Sequence, residues 1–136
     1  MKSLQIVMFS ESVRSFSKPV VELYGLVTRM VFDSFGLERL YDSFIESTFY
    51  RLRFFKYATP KPDESNVGLQ THTDKTFMTI LHQHQVEGLQ IRTKEDQYID
   101  VKPNFSSFLF LAGDAFMVNE LWNIANLDIV ETIFYF

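Results

Sequence analysis

The chain has 136 residues, with 13 Lys and Arg against 17 Asp and Glu, a net charge of −4 and no cysteine. That length fits one domain of common size, and an apolar share of 46% supports a buried core over disorder. Lack of cysteine excludes a disulfide scaffold, a thiolate-held metal centre and a thiol nucleophile, and the acidic balance argues against a nucleic-acid partner.

Residues 1–4 give no readable signal peptide. The longest apolar stretch, 108–118, is broken by Gly113 and Asp114 and is too short to span a bilayer. A cytoplasmic protein with no membrane partner is the expectation.

In residues 9–35 the apolar side chains of Val13, Phe16, Val20, Leu23, Val27, Met30, Val31 and Phe35 recur in steps of three and four, which predicts a long helix. Pro19 inside that run predicts a kink or a fresh helix start. Gly36 is the expected stop, followed by a short second helix through Leu37, Leu40, Tyr41, Phe44 and Ile45. The helical part is therefore 9–47.

Residues 49–57 alternate Arg51 and Arg53 with Leu52 and Phe54, which predicts a strand. Proline and turn-forming residues make 59–66 a loop. Short strands are expected at 68–72, 77–82, 89–92, 98–101 and 108–111. A turn at Lys94, Glu95 and Asp96 should set Leu89 and Ile91 facing Ile99 and Val101. Helices followed by closely spaced short strands predict an α+β chain with an antiparallel sheet or barrel, its β-rich part at 49–118. The tail 119–136 is atypical: from residue 104 to the last there is no Lys, Arg or His.

His72 and Asp74 are the first candidates for chemistry. At positions i and i+2 of a strand end, an imidazole and a carboxylate converge on one side, and with a distant second His they would make the facial triad that suits Fe(II). A polar turn capped by Asp74 is the plain structural alternative. His82 and His84 form a rival pair without a carboxylate on their face, which reads more simply as surface. Lys56 and Tyr57 close the 49–57 segment and either meet an anionic ligand or simply end a strand. No glycine-rich phosphate loop is present.

The stretch RLRFFKYATP…VGLQTHTDKTFMTILHQHQVEGLQIRTKEDQYIDVKP…FLFLAGDAFMV resembles the plant Fe(II)- and 2-oxoglutarate-dependent dioxygenases, nearest to the branch that makes alkenyl and hydroxyalkyl glucosinolates. The resemblance covers about residues 9–118. It implies a double-stranded β-helix of the jelly-roll type with helices packed on it, His72 and Asp74 as iron ligands, and Tyr57 at a 2-oxoglutarate contact. Fe(II) and 2-oxoglutarate are the implied cofactors, ascorbate an auxiliary reductant, and a small molecule the implied substrate. Phe55 stands where the family often has Asn.

The family's third ligand, a His about 55 residues after the first, and its Arg-x-Ser carboxylate clamp have no counterpart here, since no Arg follows Arg92. The expectation is a single truncated, inactive dioxygenase domain, 1–136, with its C-terminal strands missing and cofactors weakly held or absent. An open sheet edge would then favour self-association, with 129–136 pairing onto it. Two other readings stay open: a non-catalytic interaction module on the same partial fold, and a residual oxygenase with Asp128 as third ligand and Lys56 or Lys75 in place of the clamp.

Overall fold

The computed structural model describes residues 2–57, 61–63, 67–83, 85–93, 95–102, 104–117 and 130–134. The chain divides into two compact units, residues 1–54 and 55–136.

The first unit is helical. Helix α1 spans Lys2–Ser34 and α2 spans Glu38–Ser47. Two expectations are corrected here. The first helix begins earlier than residue 9, and it runs through Pro19 as one element instead of restarting there. A proline removes one amide donor and crowds the preceding turn, but the rest of a 33-residue ladder bridges that single gap. Gly36 does end the helix. Its φ of 68° is the left-handed conformation that glycine adopts without a Cβ clash. The amides of Leu37 and Gly36 then donate to the carbonyls of Phe32 (2.9 Å) and Asp33 (3.2 Å), closing the end as a Schellman motif.

Tyr24, Thr28 and Phe32, at successive helical steps of four, form the buried stripe of α1. Phe32 packs against Phe44 at 5.1 Å between ring centroids and edge-on to Tyr41 at 6.1 Å. The Tyr41 hydroxyl donates to the Gly25 carbonyl at 3.0 Å, and a β carbon at Gly25 would lie 3.2 Å from that hydroxyl. Arg29 lies over the Tyr41 ring at 3.8 Å and reaches Asp42 at 3.5 Å. Tyr50 meets Tyr24 edge-on at 5.3 Å. Aromatic edge contacts of this kind fasten α2 and the chain after it to α1.

Residues 48–57 form no strand, contrary to the expectation for 49–57. Phe49, Phe54 and Phe55 are exposed. The alternation is there, but a strand needs a neighbour's ladder, and no described strand pairs with this segment.

The second unit is built of β1 (Val67–His72), β2 (Met78–Leu81), β3 (Leu89–Arg92), β4 (Tyr98–Val101), β5 (Leu109–Ala112), the short helix α3 (Asp114–Met117) and β6 (Val130–Phe134). These make a four-stranded sheet, β1-β6-β3-β4, and a separate pair, β2-β5, antiparallel throughout. The predicted hairpin is present in register, Leu89 opposite Val101 and Ile91 opposite Ile99. Its turn closes with Thr93 N–H donating to the Gln97 carbonyl at 2.8 Å, and Asp96 takes a φ of 62°. Lys94 lies outside the described residues. Leu89 and Leu111 are the buried centres of the two sheets.

The expected pairing of 129–136 onto the sheet is seen for residues 130–134, but β6 pairs on both sides, with β1 and with β3, so it lies inside the sheet and not at its edge. The class is mixed helix and strand, α+β. No described helix is long and apolar enough to cross a membrane.

Candidate metal centre

β1 carries two register irregularities, the second between Leu69 and His72. Bulges of this kind bend a strand and re-aim its side chains. His72 is the last residue of β1, and Asp74 lies just beyond it in the turn leading to β2.

The His72 Nδ1 is 2.8 Å from the carbonyl oxygen of Gln70. A carbonyl only accepts, so Nδ1 carries the hydrogen and Nε2 presents its lone pair in the neutral imidazole. On the other side the Thr79 hydroxyl donates to Asp74 Oδ2. What remains, His72 Nε2 and Asp74 Oδ1, face each other at 3.8 Å, each side chain about one-third exposed.

That geometry suits a first-row divalent cation better than a direct bond. A distance of 3.8 Å is too long for a hydrogen bond. Donors that share one ion through bonds of about 2.1 Å stand about 3.0–3.4 Å apart, so a small side-chain rotation closes the gap. The outer atoms of both groups are already held by the Gln70 carbonyl and the Thr79 hydroxyl, the arrangement that orients metal ligands. Imidazole plus carboxylate is also the donor chemistry of non-haem iron. His72 and Asp74 therefore fit the ion. Among the described residues no group of three or more His, Asp or Glu is assembled around one point.

The other candidates separate. Tyr57 is half-buried and stacks on Phe55 at 6.0 Å with the rings 7° from parallel. His82 sits edge-on to Phe108 at 5.2 Å, its Nδ1 3.1 Å from the Gln83 carbonyl. His84 and Asp128 lie outside the described residues. Lys56 is exposed. Lys75 is engaged by Asp114 in an ion pair.

Asp114 is the residue that sequence reasoning missed. It follows Gly113 directly after β5 and accepts from Thr73 Oγ1 at 3.1 Å and from the Lys75 ammonium on one carboxylate oxygen, Oδ2. Those two donors, Lys75 foremost, hold its carboxyl below the usual carboxylate range. The signal was present in the sequence, as a Gly-Asp pair that interrupts the longest apolar run.

Comparison with known proteins bears on the same stretch. Residues 48–121 match the family model of the 2OG-Fe(II) oxygenase superfamily. The "Probable 2-oxoglutarate-dependent dioxygenase AOP1" of Arabidopsis thaliana is 46% identical over 110 residues, which is 78% of this chain and 36% of that protein. The "2-oxoglutarate-dependent dioxygenase AOP2" of the same plant is 45% identical over 53 residues, 39% of this chain and 12% of its own length. A "Probable inactive 2-oxoglutarate-dependent dioxygenase AOP2" is also 45% identical over 53 residues, covering 39% of this chain and 13% of its own. The chain thus spans about a third of the AOP1 relative it matches over most of its own length. The matched segment contains both His72 and Asp74, and the chain belongs to the 2OG-Fe(II) oxygenase superfamily.

Proposed function

We propose that this chain carries the first half of an Fe(II) site of a 2-oxoglutarate-dependent dioxygenase of plant specialised metabolism, acting on the side chain of a small glucosinolate-type molecule. On its own, the chain turns over little or no 2-oxoglutarate. The observation that carries the reading is the His72–Asp74 pair, 3.8 Å apart with Nε2 and Oδ1 facing and both outer atoms anchored. In this reading the two sheets are part of a double-stranded β-helix within one oxygenase-like domain. The setting is cytoplasmic, and self-association through a sheet edge belongs to the same reading.

His72 and Asp74 would hold Fe(II), and Tyr57 would meet 2-oxoglutarate. The bound pair would supply oxidising chemistry, in which 2-oxoglutarate and O2 become succinate and CO2 as a substrate C–H bond is oxidised; ascorbate would keep the iron reduced. The chain's own residues explain the low turnover. Gln70 and Thr79 orient two ligands where the facial triad has three. No arginine follows Arg92 to grip the far carboxylate of 2-oxoglutarate. Lys75 is already neutralised by Asp114. Leaving a bound carboxylate without its cation costs about 2–5 kcal/mol, which is roughly 30-fold to several-thousand-fold in affinity.

The test is succinate release from 2-oxoglutarate, compared with the His72→Ala/Asp74→Ala variant at equal Fe(II) and ascorbate. The expected result is no difference between the two. Production that exceeds the variant's and saturates with 2-oxoglutarate would restore a working oxygenase.

A further inference from the structure

The turn that carries Asp74 is held by a second segment of chain. β2 and β5 are antiparallel, with Met78 opposite Ala112, so the residues before β2 lie beside those after β5. Three further main-chain hydrogen bonds join them beyond the strands. Gly113 N–H donates to the Phe77 carbonyl at 3.0 Å, Asp114 N–H to the Asp74 carbonyl at 2.7 Å, and Ala115 N–H to the Thr76 carbonyl at 3.3 Å. Gly113 permits the approach, since a β carbon there would lie 2.0 Å from the Thr76 carbonyl oxygen.

The Asp114 side chain then adds two contacts that the ladder does not need. It takes the hydroxyl of Thr73, the residue between the two candidate ligands, and the ammonium of Lys75, the residue after them. We infer that Asp114 is a positioning residue for the metal centre, which keeps Lys75 away from the Asp74 carboxylate and fixes the turn that sets the His72–Asp74 spacing. The inference rests on the reading of His72 and Asp74 as cation ligands.

The physical argument is a competition. Lys75 is one residue from Asp74, its side chain is largely exposed, and its four-carbon stem is flexible. Without Asp114, that ammonium has a carboxylate within reach in Asp74, the group that a divalent cation would use. A cation site whose acidic ligand is already paired with an ammonium must displace it before binding. With Asp114 present, Lys75 is paired with that carboxylate, and Asp74 keeps Oδ1 toward His72 while Thr79 holds Oδ2. Thr73, tied to the same Asp114 oxygen, limits rotation of the peptides on either side of it.

Co(II) titrated into the full chain at neutral pH, followed by calorimetry and by its visible absorption, tests this. The wild-type chain should bind one Co(II), and His72→Ala should abolish that binding. Asp114→Ala should weaken it about tenfold, the scale on which groups behind a metal ligand act. Asp114→Asn, which keeps an acceptor for Thr73 but loses the charge, should lie between. The deciding arm is Asp114→Ala/Lys75→Met: removing the competing ammonium should recover most of the lost affinity. A purely structural Asp114 gives no such rescue. Urea melts of the same variants identify any that fail to fold, and Asp114→Asn, the milder change, then carries the comparison. Asp114→Ala and Asp114→Asn both binding within twofold of wild type, or a loss that Lys75→Met leaves in place, would overturn the inference alone. Wild-type protein that binds no Co(II), or binds it equally after His72→Ala, would overturn the metal reading and the inference together.

Discussion

Gly113 stands so close to Thr76 that a β carbon at Gly113 would meet the Thr76 carbonyl oxygen at 2.0 Å and the Asp74 carbonyl oxygen at 2.8 Å. Both obstacles are main chain, inside a turn fixed by three amide-to-carbonyl hydrogen bonds, so neither gives way cheaply. Gly113→Ala should cost about 3 kcal/mol or more in a urea melt. Gly36→Ala is the comparison. Nothing lies within 4 Å of a β carbon there, and only the left-handed φ opposes it, at about 1–2 kcal/mol. Equal losses would mean that the β5–α3 turn is looser than its contacts imply.

Leu89 is 1% exposed, and its strand pairs on both sides. Truncating it leaves a cavity that neighbours on two strands must collapse to fill. Leu89→Ala should destabilise the chain by about 2–4 kcal/mol. Ile99→Ala, on the same hairpin but half-exposed, should cost under about 1 kcal/mol. Reversal of that order would mean that the shared apolar face of the hairpin is covered at Ile99 and not at Leu89.

The hairpin holding these two residues was legible from sequence because everything it needs is local. Alternation at Leu89, Ile91, Ile99 and Val101 sets both strands and their register. Residues 49–57 carry equally good alternation and form no strand, because pairing is decided by residues far along the chain. The same reason hid the place of 130–134 between β1 and β3. A fresh start at Pro19 did not occur, since a local penalty was outweighed by the length of helix around it. At the site, the i, i+2 spacing of His72 and Asp74 was readable. Asp114 comes near them only through the β2–β5 register, which no spacing in the sequence records.

Thr28 is fully enclosed, and its hydroxyl makes no well-formed hydrogen bond. It lies near enough to the Tyr24 hydroxyl to favour slightly the ionised phenol. Thr28→Val keeps the shape and removes a poorly paired polar group. Thermal unfolding should show equal stability or a gain of up to about 1 kcal/mol. A clear drop in Tm would show that the hydroxyl is paired in solution.

Tyr24 and Tyr50 give the helical unit an alkaline limit. Burial, with the neighbouring Tyr50, pushes the Tyr24 phenol above its ordinary 10.0, and burial does the same for Tyr50, helped by Tyr41. A raised folded-state pKa means the native state holds its proton longer than the unfolded chain. The stabilisation is therefore complete below pH about 10 and is lost as the pH climbs from there through the higher folded values. Helical circular dichroism under urea, at pH 9 and at pH 11, should show wild type losing more stability than Tyr24→Phe. Parallel losses in the two proteins would remove Tyr24 from the explanation.

β6 separates two strands that do not pair with each other, β1 and β3. On a ribosome, the β3–β4 hairpin can close as soon as Val101 has emerged, and β2 can find β5 once Ala112 has. β1 is made before any of them, yet among the described strands it bonds only to β6. At the usual pace of synthesis, about 5–20 residues per second, the interval from His72 to Phe134 is roughly 3–12 s. For all of that time the strand that ends in His72 waits for the β6 partner it has in the folded sheet, long enough for a chaperone or a second nascent chain to find it first.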